Sequence, residues 1–170
     1  MRRKLLFNLA LVYLLGMMTF SCQINSDDEY MEQTYEQEIT KLNIYLDSLE
    51  ARGYDVDTTA LGVYYVTIEE GEGEFPKTGD QLEVIYSGYL IDGYLFDSSK
   101  LTQADSTWEF ELGNPAMIPG WDDGMKVINK GAQVQLIIQS KLAYGIYGSG
   151  EIPPNNTLLF VVDMVNIEPS

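Results

Sequence analysis

Histidine is absent from this 170-residue chain and cysteine occurs once, so the familiar routes to covalent and metal chemistry are closed. A Ser–His–Asp triad needs an imidazole to take the serine proton, and the commonest zinc sites need imidazoles or several thiolates. A single thiol also excludes an internal disulfide. Its position gives it another chemistry. Cys22 follows a basic start, Met1-Arg-Arg-Lys4, and an apolar run from Leu5 to Met18 broken only by Asn8. That run of roughly 14 residues is too short to cross a ~30 Å hydrocarbon core comfortably. With Ser21 before it, Cys22 reads as the acyl acceptor closing a secretory signal over 1–21, although Phe20 stands where a small residue is usual. Two or three acyl chains, at ~0.8 kcal/mol per buried methylene, would hold the mature chain to a membrane. The other candidates are rings and hydrogen-bonding groups. By themselves Tyr86, Trp121 and Phe160 read as core or as walls of a binding face, Asp97 as a turn residue beside Ser98-Ser99, and Ile152-Pro-Pro154 as a rigid loop.

The elements that must position these residues change character along the chain. Residues 22–58 form a tether and one helix: over 28–52, Met31, Tyr35, Ile39, Leu42, Leu46 and Leu49 recur at helical spacing, with Gly53 placed to end the run. Such a stripe serves either as a stalk or homodimer seam, or as a face packed on the chain's own domain. Residues 59–170 read as short strands separated by turns: 62–68, 80–90, 94–96, 107–112, 133–139 and 157–167, with one short helix over 119–128 opened by Pro119. The class is α+β, with a mostly antiparallel sheet whose concave face one helix can cover. Net charge is −16, and removal of 1–21 with Arg2, Arg3 and Lys4 takes it to −19. A surface of that sign repels phosphate backbones, which argues against nucleic-acid binding. The acidic run Ser26-Asp-Asp-Glu29 behind Cys22 resembles the export signal of lipoproteins sent to the outer face of an outer membrane, so an outer-membrane anchor, periplasmic or surface-exposed, is expected.

Strings over 59–168 then fall into a known order: Gly62-Val-Tyr-Tyr, Val84-Ile-Tyr-Ser-Gly88, Asp92-Gly93, Phe96-Asp-Ser-Ser99, Ile118-Pro-Gly-Trp121, Gly124-Met125, Gly131, Ala143-Tyr-Gly145 and Ile152-Pro-Pro-Asn-Asn-Thr-Leu-Leu-Phe160. In this order and spacing they resemble the FKBP-type peptidyl-prolyl cis–trans isomerases, in a lipoprotein form. The resemblance implies a strongly twisted antiparallel sheet wrapped around one short helix. It implies acceleration of rotation about X–Pro bonds, assisting the folding of exported or envelope proteins. Proline-containing segments and macrolide inhibitors become the expected partners, and no cofactor or metal is needed.

Carried over residue by residue, the resemblance places catalysis on Tyr86, Phe96, Asp97, Trp121, Tyr144 and Phe160, and substrate binding on Trp108, Met117, Ile118 and Ile152. Trp121 resembles the floor under the prolyl ring; Tyr86, Phe96 and Phe160 resemble walls. The Tyr144 hydroxyl and the Ile118 N–H resemble donors to substrate carbonyls, and Asp97 a hydrogen-bond acceptor at the rim. Trp108 stands where the family usually has phenylalanine, and Glu151 where an apolar residue is common, which points to a preference for basic flanks. The competing reading is a non-catalytic proline-peptide-binding or chaperone module of an envelope complex, such as one concerned with motility.

Overall fold

The structure, a computed structural model, describes residues 26–170, with side chains from Thr34 onward. The expected signal and Cys22 lie outside the described residues. Helix α1 spans Ser26–Ala51 and ends as its sequence predicts. Gly53, at φ +87°, donates to the Glu50 carbonyl at 2.8 Å, and the next amide, Tyr54, donates to Leu49 at 3.1 Å. These two bonds satisfy carbonyls that a helix end leaves open, and only a residue without Cβ takes that conformation cheaply.

The rest is one antiparallel sheet of seven strands. Its longest members, β3 (Gln81–Leu90) and β7 (Leu158–Glu168), pair along the whole of β3. The other edge of β3 is shared: β5 (Trp108–Glu111) takes Gln81–Val84, and β4 (Leu95–Ser98) takes Ser87–Tyr89. Beyond β7 come β6 (Gln133–Ile138), β2 (Tyr64–Glu69) and the two-residue β1 (Asp57–Thr58). Short α2 (Ser99–Thr102) follows β4, with Ser98 capping it. Helix α3 (Pro119–Met125) lies between β5 and β6. The strands expected at 62–68, 80–90, 107–112, 133–139 and 157–167 form within two residues of those limits. The α3 expectation runs long, since Val127 and Ile128 continue as turns bonded to Gly124 and Met125. The expectation missed β1, α2 and a single 3₁₀ turn at Ser140–Leu142, all too short to carry a periodicity.

Because side chains alternate across a strand, consecutive residues of β6 and β7 serve opposite faces. Leu136, Ile138, Leu158, Phe160 and Val162 join Leu82, Val84, Trp121, Met125 and Ile128 in one core. Ile137 and Leu159 join Val66, Leu42 and Leu49 in a second. The apolar stripe of α1 is thus occupied, from Leu42 to Leu49, by the chain's own sheet, and the compact unit runs Gln33–Ser170. Packing on its own domain is therefore the role the structure gives this part of the helix. Tyr35, expected on the stripe, is exposed, and the buried residue at that level is Glu38. A homodimer through 28–52 would have to use the outer side of α1, where Tyr35 and Ile44 are exposed.

Candidate functional site

Helix α3 sits unusually close to β6, because it meets the strand with glycines. A Cβ on Gly120 would collide with Ile138, and one on Gly124 would lie 2.6 Å from Leu136 Cδ1. These two residues, one helical turn apart, let the helix descend onto the sheet. That seats Trp121 at the centre of the concave face, where it is 3% exposed.

Four rings stand around the indole, Phe110 among them at 6.1 Å between centroids. The Tyr86 ring, from β3, meets Trp121 edge-on at 5.4 Å between centroids; Phe160, from β7, does so at 5.0 Å. Trp108, from β5, lies 5.9 Å from it and stacks on Phe110 at 4.4 Å. Edge-to-face arrangements of this kind add about 0.5–1.5 kcal/mol per pair beyond area burial. The rings enclose a pocket of about 120 Å³ lined by Tyr86, Asp97, Trp108, Met117, Ile118, Trp121, Tyr144 and Phe160. Eight of the ten expected residues therefore converge on one cavity. Phe96 and Ile152 do not line it. Phe96 occupies a bulge in β4, opposite the Gly88–Tyr89 step, and its ring packs perpendicular to Phe160 at 5.6 Å. Ile152 is buried in the core cluster. Phe96 thus backs the Phe160 wall. Glu151 also lies outside the lining, as the exposed acceptor of a 3.1 Å bond from the Tyr94 hydroxyl.

The polar geometry is sparse and directed. The Tyr86 hydroxyl donates to Asp97 Oδ2 at 2.8 Å. Burial first, and the carboxylate beside it second, push the Tyr86 phenol well above its ordinary value, so the ring stays neutral and keeps donating. This bond engages one carboxylate oxygen and turns the aspartate toward the cavity. Ser99 Oγ accepts from the Tyr86 amide at 3.0 Å and Ser98 Oγ donates to the Tyr86 carbonyl at 3.0 Å, so the backbone under the ring is held from both sides. Asp122 Oδ2 accepts from the Met117 amide at 3.2 Å, fixing the loop that presents Met117 and Ile118. Two donors at the cavity make no hydrogen bond among the described residues: the Tyr144 hydroxyl and the Ile118 amide. The Trp121 indole N–H is a third, buried and unpartnered.

Residue-type reasoning passed over two supports. Gly88 is where a Cβ would come within 2.7 Å of Phe96 and 2.8 Å of Phe160; its place in the string Val84–Gly88 was the available signal. Phe110 underlies Trp108, and its alternation with Trp108 in β5 marked it. A larger cleft of about 410 Å³ lies past the C-terminus of α3, among Tyr65, Phe75, Lys126 and Val134, and holds none of the expected residues.

Residues 72–165 match the model of the FKBP-type peptidyl-prolyl cis-trans isomerases, and a Drosophila melanogaster protein named peptidyl-prolyl cis-trans isomerase Fkbp12 is 39% identical over 110 residues, 64% of this chain and 100% of that protein. The chain belongs to the FKBP-type peptidyl-prolyl cis–trans isomerase family. Among bacterial FKBP proteins, FkpA of Escherichia coli (strain K12) is 39% identical over 120 residues, 71% of this chain and 43% of that one. The crystal structure of Escherichia coli FkpA superposes with a TM-score of 0.70 at 37% identity, covering 84% of this chain and 64% of that one. A peptidyl-prolyl isomerase from Pseudomonas syringae gives 0.67 at 27% identity, over 81% and 96%. The chain thus spans less than half the length of the FkpA proteins it matches, and its FKBP domain corresponds to the whole of the fly protein.

Proposed function

We propose that the protein catalyses rotation about X–Pro bonds in exported or envelope polypeptides, with the prolyl ring seated on Trp121. Rotation of an X–Pro amide breaks no bond, yet faces a barrier of ~18–20 kcal/mol and takes tens to hundreds of seconds unaided. A catalyst needs only to bind the twisted amide better than the planar one. The planar amide is charge-separated and well solvated by water; the twisted one is less so. A ring-lined cup that excludes water therefore raises the planar form relative to the twisted one. The observation that carries the proposal is the pairing of this ring-lined cup with open donors, Tyr144 Oη and Ile118 N–H, at a cavity of about 120 Å³. The donors suit carbonyl oxygens flanking the proline, and Asp97, oriented by Tyr86, suits a polar group at the rotating amide. The same cup suits the macrolide ligands of the family.

Proline-limited refolding of a model substrate tests this with the full chain. Acceleration should be suppressed by a macrolide, and the Asp97→Ala and Tyr144→Phe variants should each lose about tenfold in kcat/KM, since each removes one directed hydrogen bond. A folded protein that leaves the refolding rate unchanged defeats the proposal and favours the non-catalytic binding reading. Anchoring through Cys22 and an outer-membrane location are part of the same proposal, supported by the residues around that cysteine. The Cys22→Ser variant should leave the membrane fraction while retaining activity.

A further inference from the structure

A carboxylate belongs with difficulty in a protein interior, and Glu38, on α1, is 3% exposed. Its neighbours explain why it is tolerated. Glu38 Oε1 accepts from the Ser140 amide at 2.7 Å and from Thr157 Oγ1 at 2.8 Å, while Oε2 accepts from Ser140 Oγ at 2.6 Å. Three donors meet one buried carboxylate, and they come from two places far apart in sequence. Ser140 follows the end of β6 and Thr157 precedes the start of β7. Between them runs the excursion that carries Tyr144 to the cavity. Glu38 therefore closes the base of that excursion from outside it, and from outside the stretch 72–165 that matches the family model.

Above this base the excursion has turns of its own: the Ala143 amide donates to the Ser140 carbonyl at 2.9 Å, the Gly148 amide to the Tyr144 carbonyl at 3.2 Å, and Ser149 and Ile152 exchange two bonds of 2.9 Å. The Gly145 amide donates to the Ser140 carbonyl at 2.8 Å, and the Asn155 amide donates to the Gly145 carbonyl at 2.8 Å. Tyr144 is next to Gly145, the residue common to both. Its own side chain contributes little to holding the loop: the residue is 39% exposed and its hydroxyl is unbonded among the described residues. Through Gly145 the Tyr144 segment is thus tied to a base that Glu38 closes with Ser140 and Thr157. We infer that Glu38 is a positioning residue for the prolyl site, through which docking of α1 sets the placement of Tyr144. The inference rests on the prolyl-site reading of Tyr144 for its catalytic consequence, and on geometry alone for its structural one.

Two variants separate the clamp from mere burial. Glu38→Gln can keep all three bonds, with the amide oxygen accepting from Ser140 N–H and Thr157 and the amide nitrogen donating to Ser140 Oγ, which is able to accept. Glu38→Ala loses all three. In the full chain, Glu38→Ala should cut kcat/KM by about tenfold, mainly through KM, because a misplaced donor weakens substrate placement. Glu38→Gln should stay close to the parent protein. Independently of activity, amide exchange over 143–148 should quicken by about tenfold in Glu38→Ala and not in Glu38→Gln, while amides of β3 and β7 are unchanged. If Glu38→Ala does not fold, Thr157→Val, which removes one donor and keeps the shape, should show the same local exchange in milder form. Unchanged exchange at 143–148 in a folded Glu38→Ala or Thr157→Val protein overturns the inference. An inactive parent protein with the expected exchange pattern instead overturns the prolyl-site reading and leaves the clamp standing.

Discussion

The two faces of the sheet are built from the same strands and filled in opposite ways. Against α1 the contacts are mainly aliphatic, Leu42, Leu49, Val66, Ile137 and Leu159. Against α3 they are rich in rings: Tyr86, Trp108, Phe110, Trp121 and Phe160 interlock around a cavity that stays open. Flexible aliphatic chains pack until no space is left. Flat rings held edge-to-face brace one another and can leave a hole between them without collapse. The face against α1 is thus filled and the face against α3 keeps a cavity, although one strand residue separates them.

Substitutions on the two faces test that division. The largest effect is expected from Trp121→Ala, which removes the ring on which the others lean. It should cost ~3–5 kcal/mol of stability and abolish measurable isomerisation, read by denaturant unfolding and by proline-limited refolding. Leu49→Ala, in the aliphatic layer, should cost ~2–5 kcal/mol yet leave kcat/KM of the folded protein within about twofold, since Leu49 belongs neither to the site nor to the Glu38 clamp and the three bonds of Glu38 remain. A comparable loss of activity in both would break the comparison. Gly88→Ala sharpens it. The added methyl must displace Phe96 or Phe160, so ~1–3 kcal/mol of overpacking is expected, with macrolide affinity falling alongside stability. The smallest effect is a matter of pH. The Tyr86 phenol titrates higher in the folded protein than in the unfolded chain, so its contribution is complete below the ordinary phenol value of about 10 and is lost as pH rises through the folded value. The stability advantage of the parent protein over Tyr86→Phe should therefore be constant from neutral pH to about pH 9 and shrink above about pH 10. A constant advantage into strong alkali would mean that the phenol is not held by burial and Asp97.

Much of this was legible in the residues. Strands of period two announce themselves when one face is buried, and β3, β6 and β7 fall where alternation places them. The aromatic cup was legible through the order of its strings, since rings alone on strands do not distinguish wall from core. What stayed hidden depended on absence or on contradiction of type. Gly88, Gly120 and Gly124 act by what they lack, and a missing Cβ matters only when a partner from elsewhere fills its place. Phe96 and Ile152 were expected at the cavity and instead lie outside its lining, because a bulge and a loop path, neither written in periodicity, turn them inward. Nothing in the stripe from Met31 to Leu49 marks Glu38, and only the three donors brought from Ser140 and Thr157 make it an interior residue.

The ends of the sheet carry a consequence of their own. One border is β1, two residues long, and the other is shared by two four-residue strands, one of them broken by the bulge at Phe96. Long, flat borders recruit stray extended chains by offering rows of unused amides and carbonyls. The proposed substrates are such chains. Truncated, kinked margins offer them little to pair with, so the sheet is a poor seed for aggregation.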